Sequence, residues 1–330
     1  MDNICHTLVG AALADAGLKH RTRYGTAALL IGANLPDVDI LSYALGGGLS
    51  ALSFRRGWTH GVLALAVLPL LLTALVLLWD RAFGARRQAR DAPPLRGDQV
   101  ALLATVSILT HPLLDFMNTY GMRWLMPFVN RWYYADALFI VDPWIWAVLV
   151  AGVVLTRRQA RETGNGKRGG QAANGMRRTL TPAAGSLLVV ATYVGVMLVA
   201  SQVARRGIVR ELAAQAGGPL RVMVSPVPLH PLRRLVVIED ADRYRFGTVN
   251  WLQRPAFTLE PYAVAKNAAS PEAQAARETP EGRAFLGWAR FPFFVVEASR
   301  SDEVVHIVDA RYRVDADAGF GAVAIRLPPP

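Results

Sequence analysis

The segment "THPLLD", residues 110–115, sets His111 and Asp115 four residues apart. On a helix the two side chains share one face and can hold one divalent cation or bridge two. "NLPDVD" adds two carboxylates, Asp37 and Asp39, behind Pro36, where a turn or helix start aims them separately. Alone, that pair also reads as a helix N-cap with a solvated neighbour. His60 opens the apolar run "HGVLALAVLPLLLTALVLLW", where Lys or Arg is the usual anchor; by itself it also reads as an interfacial side chain. Imidazole and carboxylate donors without thiolates suit zinc in a hydrolytic site, with manganese as the alternative. A metal pair lowers the pKa of water toward neutrality and clamps a phosphoryl or acyl oxygen. The single cysteine, Cys5, rules out both an intramolecular disulfide and a Cys-rich zinc site, and reads as a helix-packing residue.

The elements that must position these groups are membrane segments. The chain is 52% hydrophobic and only 18% charged, with net charge +11; its mean hydropathy is +0.25. That is too apolar for an ordinary soluble globule. The arginines lie between apolar runs, which argues for membrane topology and against nucleic-acid binding. Candidate spans are 24–45, 61–79, 99–116, 137–156 and 179–204, with 4–17 a short helix, half-buried or re-entrant. Loops 80–98 and 157–178 are rich in Lys and Arg, whereas 46–59 and 118–136 carry two arginines each. The rich loops therefore belong in the cytoplasm, and everything after about residue 205 is expected outside it.

The fold expected is mainly α: an integral membrane bundle of about four to five transmembrane helices, with a C-terminal extracytoplasmic antiparallel β domain. Its parts are a membrane-embedded helical domain 1–156, a basic cytoplasmic loop 157–178, a transmembrane helix 179–204 and a small β-rich domain 205–330. The β assignment rests on "RVMVSPVP", "RRLVVIED", "RYRFGTVNWL", "FPFFVVEA" and "EVVHIVDARYRV", which alternate or are β-rich and are separated by turn residues.

This topology gathers the polar residues at one depth. His60, His111 and Asp115 all fall at outer ends of spans, Asp37 and Asp39 lie in the outer half of the first, and Asp136 and Asp142 start the fourth. His6 joins them if the Lys19 end of its helix faces inward. Ionisable groups at membrane depth face a cavity, a partner or an ion. A shared metal site follows, with Asp39 or Asp136 as general base. Asp142, ahead of Pro143, alternatively caps a helix; Arg131 and Arg123 are either phosphate contacts or snorkelling anchors. His20, His230 and His306 read as structural or solvated.

The motifs "HTLVGAALADAG", "GANLPDVDIL", "RRGWTHG", "THPLLDFMNTYGMRWLMPF" and "RWYYADALFIVDP", in this order, resemble the YdjM-like family of inner-membrane metal-dependent hydrolases. That family is in turn similar to the zinc-dependent phospholipase C and zinc nuclease superfamily, α-helical enzymes that cleave phosphoesters with a cluster of zinc ions. The resemblance implies that Asp37 or Asp39, His60, His111 and Asp115 surround one metal. His6 then serves a second, with Asp115 bridging. The soluble enzymes also ligate metal through an amino terminus freed by signal cleavage. "MDNICHTL" shows no such cleavage point ahead of His6, and Asp39 is the expected substitute. No histidine lies between 112 and 229, so a third metal has only Asn118, Asp136 and Asp142 to draw on. The expected function is a multi-pass bacterial inner-membrane hydrolase using one or two divalent ions, zinc first, on an ester or phosphoester at the outer face. Membrane lipids are its surroundings and a lipid or other phosphoester its substrate. The rival reading is a non-enzymatic metal-binding or transport protein with a β-rich partner-binding tail. The oligomeric state is left open.

Overall fold

The computed structural model describes residues 1–84, 93–166, 180–213, 220–298, 303–315 and 319–327. Residues 85–92 of the basic loop 80–98 and residues 167–178 of the basic loop 157–178 lie outside the described residues. The chain divides into two compact units, one formed by Met1–Val38 and Arg56–Met197, the other by Asp39–Arg55 and Leu198–Pro330.

The first unit is helical. Helix α1 (Asn3–Asp15) starts at Asp2, whose carboxylate accepts from the Cys5 N–H at 3.0 Å. After a short 3-10 turn, α2 (Gly25–Asn34) runs against α1. Gly10 makes that contact close: a Cβ there would meet the Leu29 carbonyl oxygen at 2.8 Å. Gly32 does the same toward the following helices, where a Cβ would come within 3.0 Å of Ser107. Small residues let membrane helices approach backbone to backbone, and here they draw α1, α2 and α5 together. The Ser107 hydroxyl donates to the Leu29 carbonyl across that seam.

Helices α4 (Val62–Phe83) and α5 (Gly97–Phe116) complete the core, which consists of Ala14, Ala28, Leu29, Leu72, Val76, Val100, Leu103, Ala104 and Ile108. Helix α6 (Pro143–Gly166) packs on α1. Helix α7 (Pro182–Ala213) begins in this unit and ends in the other.

Among the described residues, α4, α5 and α7 are long and apolar enough to cross a membrane. Two expected spans read differently. Segment 24–45 is interrupted: α2 ends at Asn34, a 3-10 stretch runs Leu35–Leu41, and α3 (Ser42–Phe54) follows. Pro36 cannot continue the hydrogen-bond ladder of α2. Segment 137–156 is helical only from Pro143. Its apolar part ends at Arg157, after about 21 Å of helix at 1.5 Å per residue, short of the roughly 30 Å hydrocarbon core.

In the second unit, β1 (Arg221–Val227), β2 (His230–Glu239), β3 (Arg243–Asn250) and β4 (Phe257–Ala265) form an antiparallel meander. Strands β5 (Pro292–Ala298), β6 (Glu303–Asp309) and β7 (Ala322–Leu327) form a second antiparallel sheet. Period-two alternation explains the layers. Val222, Val224, Val236 and Ile238 bury against Ala204, Ile208 and Leu212 of α7. Their neighbours Met223 and Val237 face Phe291, Phe293 and Val308 of the second sheet region. Short helices α8 (Pro271–Glu278) and α9 (Pro280–Leu286), each with a hydroxyl N-cap followed by proline, link the sheets. The pair was not anticipated from the sequence, although Ser270-Pro271 and Thr279-Pro280 carry that signature.

Candidate metal centre

Four side chains from three parts of the first unit converge. Asp37 lies in the 3-10 stretch after α2, His60 in the turn before α4, and His111 and Asp115 on the last turns of α5. Each offers one donor atom, and all four donors lie within 4.8 Å of one another. His60, His111 and Asp115 are completely buried, and Asp37 is 7% exposed.

Local structure explains the aim of each group. The turn carrying His60 is closed by the N–H groups of His60 and Gly61, both donating to the Gly57 carbonyl. Gly61 sits where a Cβ would be 2.5 Å from the Met126 carbonyl oxygen, so only glycine lets the chain pass there. Nδ1 of His111 lies 2.7 Å from the Ala33 carbonyl oxygen. A carbonyl can only accept, so in the neutral ring the proton is on Nδ1 and the Nε2 lone pair faces the cluster. His60 Nδ1 lies 2.9 Å from the Thr59 hydroxyl, a group that can donate or accept. The two Nε2 atoms are 3.1 Å apart. His60 Nε2 lies 3.4 Å from Asp115 Oδ2 and 3.8 Å from Asp37 Oδ1; His111 Nε2 lies 3.7 and 3.6 Å from the same oxygens.

These spacings pass a simple test. Donors about 2.0–2.1 Å from a tetrahedral zinc stand about 3.3 Å from each other. Two imidazole lone pairs and two carboxylate oxygens converging at such distances repel one another until a cation lies among them. The donor set fits a divalent ion.

His6 extends the cluster. Its ring stacks on His111, with centroids 3.7 Å apart and 16° between planes. Its Nε2 is 3.4 Å from Asp115 Oδ1. Both of its ring nitrogens are buried without a hydrogen-bond partner among the described residues, which a buried imidazole rarely tolerates. Burial, and then the neighbouring His111, hold its pKa well below the usual 6.5, so the ring is neutral. The Met1 amino group is buried against Asp115 Oδ1 as well. Burial and the Arg56 guanidinium push its pKa down to about 4. Asp39, expected to substitute for that amine, instead sits 3.4 Å from Arg55 Nε.

The remaining expected residues are placed as follows. Asp136 is buried with φ +52 on the stretch pinned to the end of α5 by the Ala135, Ala137 and Leu138 N–H groups; it is not one of the four converging groups. Asp142 caps α6, accepting from the N–H groups of Trp144 and Ile145, and also accepts from the Tyr193 hydroxyl at 3.0 Å. Asn118 is buried, its Oδ1 accepting from Arg56 and from the Tyr120 and Gly121 N–H groups. Arg131 is exposed, with its guanidinium over the Tyr133 ring.

Two participants were missed in the sequence. Asn3 donates to Asp37 Oδ2 at 3.1 Å. Arg56 is buried beside Asp115, its Nε 3.2 Å from Oδ2. Arg56 stood in the quoted motif "RRGWTHG", but as a loop charge it was counted toward topology.

Residues 1–204 match the family described as YdjM inner membrane protein. The chain belongs to that family. An inner-membrane location agrees with its apolar helices. The chain is also 33% identical to the inner membrane protein YbcI of Escherichia coli over 108 residues, 32% of this chain and 55% of that protein. It is 22% identical to the uncharacterized protein YfhP of Bacillus subtilis over 166 residues, 47% of this chain and 46% of that protein. The chain thus spans about half the length of the curated relatives it matches. No solved structure matches it. The converging His/Asp group lies wholly within the family-matched region.

Proposed function

We propose that this YdjM family member is an integral inner-membrane metal-dependent hydrolase acting on an ester or phosphoester, with a membrane lipid as the favoured substrate. In this reading its C-terminal β domain lies on the periplasmic side, which the positive charge of loops 80–98 and 157–178 supports. The observation that carries the reading is the set of four buried donors within 4.8 Å, with the His111 tautomer fixed by a backbone carbonyl. The resemblance of these motifs to the zinc-dependent phospholipase C and nuclease superfamily supports the reaction class.

In this reading Nε2 of His60 and His111 and the carboxylates of Asp37 and Asp115 hold one ion, zinc or manganese, and His6 with Asp115 holds a second where two are present. When bound, a divalent ion supplies Lewis acidity and lowers the pKa of water toward neutrality. The protein's own share is to fix the donors, exclude bulk water through burial, and take up a proton. Asp39 or Asp136 is the acid assigned to that proton. One of Asp39→Asn and Asp136→Asn is expected to lower kcat while metal content stays unchanged.

The test is elemental analysis of detergent-purified protein, paired with turnover of a phosphoester and carboxylester panel. Wild type should carry one or two divalent ions per chain and hydrolyse at least one substrate. His60→Ala and His111→Ala should lose both properties. Full activity in both variants would end the proposal.

A second reading draws on the burial. Structural metal sites are closed, whereas catalytic ones keep a position open, and three of the four donors have no exposure. A metal-binding or metal-transport protein whose β-rich tail binds a partner would show bound metal with no turnover on any substrate of the panel.

A further inference from the structure

Arg56 is the residue around the centre whose role the hydrolase reading does not yet use. It is 5% exposed, and its backbone sits at φ +51, a left-handed conformation that non-glycine residues avoid. The side chain is fixed from several directions. Nη1 donates to Asn118 Oδ1 at 3.1 Å and to the Gly121 carbonyl at 3.3 Å, and the guanidinium lies 4.4 Å from the centre of the Tyr120 ring. Its backbone carbonyl accepts from the Arg123 N–H at 2.8 Å. What all of this holds in place is Nε, 3.2 Å from Asp115 Oδ2.

Asp115 has two oxygens with separate duties. Oδ2 faces Arg56 and the Nε2 atoms of His60 and His111. Oδ1 faces the Met1 amine and His6. Rotation of the carboxylate about χ2 would exchange or misdirect them, and the ion pair between Arg56 Nε and Oδ2 opposes that rotation. Charge leads the same way. With the imidazoles neutral, the two negative charges of Asp37 and Asp115 are met by one positive charge on Arg56 and two on a single divalent ion. The loaded centre is then left one unit positive, and that unit is the arginine's.

We propose that Arg56 is a positioning residue of the centre: it fixes which oxygen of Asp115 turns to the His60–His111 pair and supplies the charge that makes the loaded centre receptive to an anion. The inference rests on the metal-centre reading, not on turnover. Partners of this kind around a metal site are worth 10–100-fold in metal affinity.

The experiment uses the full chain in detergent, with Co2+ as probe metal and inorganic phosphate as probe anion. Wild type should bind Co2+ with a visible d–d spectrum that phosphate perturbs. In Arg56→Gln, Co2+ affinity should fall by about 10–100-fold, the bands should shift, and phosphate affinity should fall by about tenfold or more. Arg56→Lys keeps the charge but not the planar fork, so it should recover phosphate affinity while leaving the spectrum altered. Arg56→Gln with wild-type Co2+ affinity and spectrum would overturn the proposal. If that variant does not fold, Arg56→Lys with an unaltered spectrum would overturn it equally. Wild type that binds Co2+ but hydrolyses nothing would end the hydrolase reading and leave this one standing.

Discussion

Helix α1 carries a buried ionisable residue at each end, and the two ends are built on opposite principles. At its C-terminal end Asp15, 4% exposed, is met by two cations, Lys19 Nζ at 2.6 Å and Arg157 Nε at 2.8 Å. At its N-terminal end His6 has no hydrogen-bond partner among the described residues for either ring nitrogen, and the carboxylate beside it is shared among imidazoles, an amine and one guanidinium. The Asp15 end is electrostatically complete. The His6 end has donors in excess, set as they would stand around a cation. Buried charge is tolerated when paired; buried donors left over mark a place for something else.

The largest expected effect separates the two ends by metal content. His60→Ala or His111→Ala should reduce metal affinity by more than about 100-fold, exceeding the loss from changing a residue that only orients a donor, whereas Asp15→Asn should leave it as in wild type. Elemental analysis of the three purified variants decides this. Equal metal in all of them would make the donor cluster a hydrogen-bonded packing feature like its counterpart.

Chelation should come next in size. A ligand present at about 100 times its Kd stabilises the folded state by about 2.7 kcal/mol. For a unit of this size that is roughly 5–10 °C in Tm. Stripping the metal should lower the transition of wild type by that amount and leave His60→Ala unmoved. A chelator effect of equal size in both would place the metal elsewhere.

How legible the two ends were in the sequence differs for physical reasons. The His/Asp group was readable because imidazoles and carboxylates are costly at membrane depth, and loop charges set them all at one depth. A 3-10 stretch turns every three residues, so Asp37 and Asp39, two apart, face different ways, and only Asp37 joins the four converging donors. The same stretch hid the break in segment 24–45, since hydropathy does not register a change of helix type. Arg56 was invisible because an arginine in a loop looks the same whether it anchors the membrane border or lies buried under Tyr120. Five strands were legible by their period; β4 and β7 were not, β4 because its residues are exposed or half-exposed and lack a buried face.

The two ends of α1 are held in register by the close approach at Gly10, so a third variant sharpens the comparison. Gly10→Ala adds a methyl group 2.8 Å from the Leu29 carbonyl oxygen, and backbone must shift to accept it. A cost of about 1–3 kcal/mol is expected from such overpacking, read as a lower denaturation midpoint. Because His6 is one turn from Gly10, its stacking on His111 should loosen too, and metal affinity should fall with stability. Loss of stability with metal affinity intact would show that the His6 end tolerates movement.

The smallest effect tests the completed end alone. Asp15→Asn removes a carboxylate whose partners both reach solvent, so the two cations are rehydrated and the loss is about 1 kcal/mol. Burial works against the Asp15 carboxylate, but the hydrogen bonds from Lys19 and Arg157 outweigh it and hold its pKa below the ordinary 3.8. A carboxyl group depressed on folding adds stability above its unfolded pKa, and that contribution is lost as the pH falls through the folded value. Wild type should therefore exceed Asp15→Asn in thermal stability at pH 7, and the gap should close below about pH 4. A gap that persists in acid would mean that Asp15 acts through packing and not through charge. The contrast between the two ends of α1 would then no longer be one of paired and unpaired groups.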